Sequence, residues 1–125
     1  MPKAAAPAEF DAVFARLKSI LKKHGRRMVT VGDAPGNYQL NTRLIGPNKK
    51  PLMFGAVQTR QRYVSYHFFP VYMNPGLLAG LSPELRRRMQ GKACFNFKQV
   101  DPRLFAELAA LTQAGAEWLR KVEAS

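Results

Sequence analysis

The hydrophobic pattern changes period along the chain. In AEFDAVFARLKSILKKHG the apolar residues Phe10, Val13, Phe14, Leu17, Ile20 and Leu21 recur at helical spacing. Glu9 and Asp11 open this segment, Lys22 and Lys23 close it and Gly25 follows. Acid at the start, base at the end and a glycine stop suit a helix over residues 8–24. From Met28 the period shortens. Tyr38, Leu40, Thr42 and Leu44 alternate with Gln39, Asn41 and Arg43, the signature of a strand with two unlike faces. The GPNKKP turn precedes a returning strand at 52–60, and YVSYHFFPVYM at 63–73 reads as a third strand. Pro70 has no N–H to donate, so that strand must be ending there or lie at an edge. Strands this close in sequence favour an antiparallel meander.

NPGLLAG is loop material. Ser82 and Pro83 then start a short helix, SPELRRRMQG, which Gly91 stops. GKACFNFK is a short strand. Asp101 and Pro102 open the last helix, whose buried stripe is read as Leu104, Leu108, Leu111, Trp118 and Val122, with Gly115 a cost to helix stability. The expected fold class is α+β: an antiparallel sheet of about four to five strands, with an N-terminal helix, a short middle helix and a long C-terminal helix packed on one face. Residues 1–7 read as a flexible tail and 8–125 as a single domain.

Charge changes this picture more than composition does. Of 125 residues, 46% are hydrophobic and 22% charged, which is ordinary globular composition. Twenty Lys and Arg oppose eight Asp and Glu, for a net charge of +12. Such an excess attracts polyanions. The partners it suggests are nucleic acid or an acidic macromolecule, and a homodimer through a sheet edge stays open. One cysteine makes no internal disulfide, and no apolar run approaches the length of a signal peptide or a membrane span. The expected protein is cytoplasmic, with no membrane insertion and no cofactor.

Several strings together resemble a known family. YVSYHFFPVY, the short helix before GKACFNFK, and DPRLFAELAALTQAGAEWLR resemble the YdhG-like family of small bacterial domains of unknown function, across about residues 8–121. The most specific piece is the run from Gly91 and Lys92 through Cys94, Phe95, Asn96 and Phe97 into the last helix. The resemblance implies an α+β domain with a curved antiparallel sheet. Some members are described as frataxin-like iron chaperones, so it also implies iron handling in certain relatives. In this chain the carboxylates are few and scattered.

Candidate chemistry is sparse. Alternation puts Cys94 and Asn96 on one face of their strand and Ala93, Phe95 and Phe97 on the other. The thiol is read as a structural residue of a core strand. It becomes a candidate nucleophile only if His67, on the third strand, pairs beside it. Tyr38, Gln58, Tyr66, His67, Cys94 and Asn96 are the candidate ligand-binding residues of a sheet cleft. Lys22, Lys23, Arg26, Arg27, Arg86, Arg87, Arg88 and Lys92 are the candidate polyanion contacts, provided that the helix ends carrying them converge. Arg86 to Arg88 fan over about 200° of a helix and cannot share one surface. No CxxC or HxxxH spacing, P-loop or GxSxG elbow is present, so no metal site or catalytic residue is expected. The overall reading is a non-catalytic binding protein for a small ligand or a macromolecule, with polyanion binding and iron handling as its alternatives.

Overall fold

The first helical period is realised as α1, Pro7–Lys22, in a computed structural model that describes residues 7–124. The expected N-terminal tail therefore lies outside the described residues apart from Pro7, with which α1 begins. Phe10, Val13, Leu17, Ile20 and Leu21 are buried, and Phe14 is half-buried against them. A 3-10 turn, Gly25–Arg27, leads into four consecutive strands: β1 Val29–Ala34, β2 Asn37–Ile45, β3 Pro51–Thr59 and β4 Val64–Phe68. Pro35 and Gly36 join the first two. Gly36 has a φ of +74°, where a residue without a Cβ carries no strain.

The chain then leaves the sheet. The segment read as a strand to residue 73 ends at Phe68, and Pro70–Met73 forms the short helix α2. Proline sits at the first helical position, where its missing N–H has no partner to lose. A second 3-10 turn, Pro75–Leu78, leads to α3, Pro83–Arg86. β5 Met89–Gln90, β6 Cys94–Phe97 and α4 Pro102–Ala124 complete the order.

All six strands form one sheet in the order β1-β2-β3-β4-β6-β5, with every neighbouring pair antiparallel. The α+β class holds and the strand count rises to six. The strands beyond the expected meander and GKACFNFK are β1 and β5, both at the edges. β5 comes from the second half of the expected helix 82–91. That helix stops after Arg86 because only Leu85 gives it a buried contact. The chain then turns, Asn96 donates its N–H to the Arg88 carbonyl at 2.8 Å, and Gly91, with φ +76°, closes the hairpin.

Both long helices lie on the same side of the sheet. A Cβ on Gly55 would stand 2.7 Å from Leu21 of α1, and one on Gly115 of α4 would stand 2.5 Å from the Phe68 ring of β4. Gly115, read as a cost, is thus what lets α4 approach the sheet. The buried stripe of α4 includes Leu104, Phe105, Leu108, Leu111, Ala116 and Leu119, while Trp118 is half-buried. Val122, expected in this stripe, is 41% exposed. The helix outruns its packing surface, and residues 120–123 are all exposed. Both predicted caps form. Asp101 accepts from the Leu104 N–H at 3.1 Å, and Ser82 accepts from the Leu85 N–H at 3.2 Å. Ser82 also donates its own N–H and hydroxyl to the Glu107 carboxylate, both at 2.7 Å, which pins α3 to α4.

Candidate functional site

Alternation along β2, β3, β4 and β6 distributes the six candidate ligand-binding residues between two faces. Directly paired residues share a face. Tyr38 pairs with Val57, Val57 with Tyr66 and Tyr66 with Phe95, so this row looks into the helices. Tyr38 and Tyr66 are therefore core residues and line no ligand cleft. Tyr66 is fully buried, and its hydroxyl lies 2.6 Å from the Thr112 hydroxyl of α4. Thr112 already donates to the Leu108 carbonyl at 2.8 Å, so Tyr66 is the donor of the shared bond. Burial pushes the Tyr66 phenol far above its ordinary value.

The other four candidates come together on the opposite face. Ala56, His67, Cys94 and Gln90 form one cross-strand row; Asn37, Gln58, Ser65 and Asn96 form the next. β4 and β6 pair directly, and His67 Nδ1 stands 2.7 Å from Cys94 Sγ. Cys94, read as structural in a core strand, is instead half-buried on this second face. Burial lowers the His67 pKa and raises that of the Cys94 thiol, while the Arg60 guanidinium pulls the thiol back down. A neutral imidazole facing a protonated thiol is the resting arrangement these shifts favour. Asn96 donates to Gln90 at 2.7 Å, and Arg60 donates to Gln58 at 2.6 Å. The Asn96 carboxamide oxygen is buried without a hydrogen-bond partner.

The basic candidates separate into three places. Lys23, Arg26 and Arg27 meet Arg43 of β2 and Arg120 of α4 around a cleft of about 240 Å³, with His24, Thr42 and Gln113 also in its wall. Glu123 is its one carboxylate. Lys22 does not line this cleft; it lies close enough to Asp33 to hold that carboxyl down, behind the larger effect of the hydrogen bond from Lys18. Arg87 and Arg88 lie at the other end of α4 with Asp101 and Arg103. Residues 103 and 120 are separated by roughly 25 Å of helix. Arg86 donates to the Leu78 carbonyl at 2.6 Å, and Lys92 stands 5.9 Å from the centroid of the Tyr72 ring. The predicted clusters thus do not converge into one patch.

No family model, curated protein or solved structure matches this chain. The geometry must carry the functional reading alone.

Electrostatics single out the cleft. Among the described residues one ion pair forms, Lys18 with Asp33 at 2.8 Å, so the cations of the cleft have no ion-pair partner there. His24 lies in the cleft wall with its ring centroid 5.7 Å from that of Phe54. Burial lowers its pKa, and Arg120 and then Lys23 lower it further. The His24 ring thus registers the positive potential of the cleft. Sequence reasoning missed Arg43, which has only neutral neighbours in the chain, and Arg120, which is followed by a single lysine and flanked by Glu117 and Glu123. It also missed Arg60 as a neighbour of Cys94. Among the described residues no three His, Cys, Asp or Glu side chains gather as a metal site, and no helix is long and apolar enough to cross a membrane.

Proposed function

We propose that this protein is a non-catalytic binding protein whose partner is the phosphate backbone of nucleic acid, gripped at the cleft between the end of α1, β2 and the C-terminal half of α4. One observation carries the reading: Lys23, Arg26, Arg27, Arg43 and Arg120 surround a cleft to which, among the described residues, Glu123 alone brings a carboxylate. Like charges held together in a concave wall raise the local potential, and an anion placed there relieves their repulsion. Guanidinium groups suit this role because they present donors in a planar fork that matches phosphate oxygens. The net charge of +12 extends the attraction beyond the cleft, as a long polyanion requires. The neutral His24 adds a ring N–H donor beside Thr42 and Gln113 in the same wall.

The competing readings have less support. The iron-handling role that the YdhG-like resemblance implies needs gathered hard ligands, which are few in this chain, and a surface that does not repel cations. A small-ligand site on the second sheet face is supported by the meeting of Gln58, His67, Cys94 and Asn96, and it is taken up separately below.

The test is a titration of a fluorescently labelled single-stranded oligonucleotide at two ionic strengths. Binding that weakens steeply with salt, by about 0.7 in log affinity per log salt for each phosphate neutralised, is the expected result. Absence of binding at low salt, or an affinity indifferent to salt, would remove the reading.

A further inference from the structure

A second constellation stands apart from the basic cleft and does not depend on it. His67 Nδ1 and Cys94 Sγ, 2.7 Å apart, open onto a cavity of about 360 Å³. Phe69, Tyr72, Gln90 and Lys92 also line it. The Phe69 and Tyr72 rings stack with centroids 5.4 Å apart, and Tyr72 is 54% exposed. Lys92 lies over the Tyr72 ring, and Arg60 acts on the thiol from the β3–β4 turn. A nucleophile, a base within hydrogen-bond reach, an apolar wall and one cation, Lys92, therefore share one opening. Cys94 is also the chain's single cysteine, so no second thiol in the chain can resolve an oxidised form.

We propose that Cys94 is a covalent capture site for a small acidic disulfide, which it takes up by thiol–disulfide exchange with His67 as the base. His67 Nδ1 accepts the Cys94 proton as Sγ attacks one sulfur of the bound disulfide. A new S–S bond forms while the old one breaks, and its electron pair leaves with the departing thiolate. The imidazolium then returns the proton to that thiolate. One small disulfide is consumed, and one protein mixed disulfide and one small thiol are produced; the incoming disulfide is the oxidant.

Each part of the site has a task in this step. Burial keeps His67 unprotonated near neutral pH, so it can accept the proton that the thiol must lose. Lys92 selects a carboxylate on the incoming molecule. The stacked rings cover the apolar arms.

The experiment uses the folded full chain, intact-mass spectrometry and two disulfides of opposite charge, oxidised glutathione and cystamine. Each rate is divided by that of the same chain unfolded in urea, which removes the intrinsic reactivity of the two reagents. The expected result is a single adduct at Cys94, with the acidic disulfide favoured by roughly tenfold on this normalised scale. Exposed Lys92, changed to Glu, should narrow that preference. His67→Asn should slow the acidic reaction by roughly tenfold or more near neutral pH and steepen its rise between pH 6 and 8, because only the route through the free thiolate remains. A thiol that reacts only after unfolding, equal normalised rates for the two disulfides, or unaltered preference in Lys92→Glu would overturn the proposal. Should His67→Asn fail to fold, the comparison of the two reagents and Lys92→Glu still decide it.

Discussion

The two faces of the central sheet are built from the same strands and do opposite work. On one face Tyr38, Val57, Tyr66, Phe68 and Phe95 close against α1 and α4, and the Tyr66 hydroxyl is satisfied internally by Thr112. On the other, Gln58, His67, Cys94 and Asn96 share neighbouring cross-strand rows; His67 meets Cys94, Gln58 accepts from Arg60, and Asn96 donates to Gln90. One step along β4, from Tyr66 to His67, moves a side chain from a sealed core to a chemically usable site. A residue's chemistry on a strand is therefore set by the parity of its position, and polar character alone does not predict accessibility.

Substitutions of matched strands should expose this contrast most strongly. Phe68→Ala empties a fully buried site between Phe54, Tyr66 and Gly115, and should cost about 3–5 kcal/mol in denaturant unfolding. Cys94→Ala, on the other face, leaves a half-exposed imidazole that water can serve, and should cost under about 1 kcal/mol. Comparable losses at the two sites would break the distinction between the faces. A smaller effect is expected at the helix–sheet seam. Gly115→Val puts a branched side chain where even a Cβ meets the Phe68 ring, and should cost about 1–3 kcal/mol with the fold retained. An unchanged midpoint would mean that α4 can move away freely.

Acid should reveal the smallest difference, between the two histidines. Both His24 and His67 have folded pKa values below the ordinary 6.5. Below that pH the unfolded chain binds protons that the folded chain resists, so stability falls as pH drops from 6.5 through the folded values. Above 6.5 both states are neutral at these positions and the contribution vanishes. Inorganic phosphate in the cleft would offset the potential on His24 and recover part of the loss, while His67 lies on the other face of the sheet and should be unaffected. Thermal unfolding at pH 7 and pH 5.5, with and without phosphate, measures this. Stability rising on acidification would contradict both shifts.

Much of the fold is legible in the chain because its long elements have strong periods. The α1 stripe, the alternation of β2 and the caps at Ser82 and Asp101 each bind sequence to structure locally. The edges are less legible. β5 has only two residues, follows an arginine run and owes its existence to pairing with β6 across the Gly91 turn. Val122 continues the period of α4 but is 41% exposed. The candidate sites divide along the same line. Alternation correctly puts Cys94 and Asn96 on one face, yet the register that brings His67 beside Cys94 joins strands separated by α2 and α3 and leaves no local mark. Tyr38 and Tyr66 have polar tips, but strand parity turns both toward the helices. Arg43 and Arg120 join Lys23, Arg26 and Arg27 only because β2 and the end of α4 meet; Arg43 stands alone in its strand, and Arg120 lies in a segment of mixed charge.

The central claim is that location, and not total charge, makes the cleft a phosphate site. Oligonucleotide affinity of two charge-matched double variants tests it most directly. Arg43→Glu with Arg120→Glu alters the cleft; Arg87→Glu with Arg103→Glu alters the opposite end of α4 by the same net charge, and all four side chains are exposed. The cleft variant should lose much the larger share of affinity and reduce the salt slope by about 1.4, while the other variant stays closer to the parent. Equal losses in the two variants would contradict the cleft and leave only a diffuse attraction of a basic protein for polyanions.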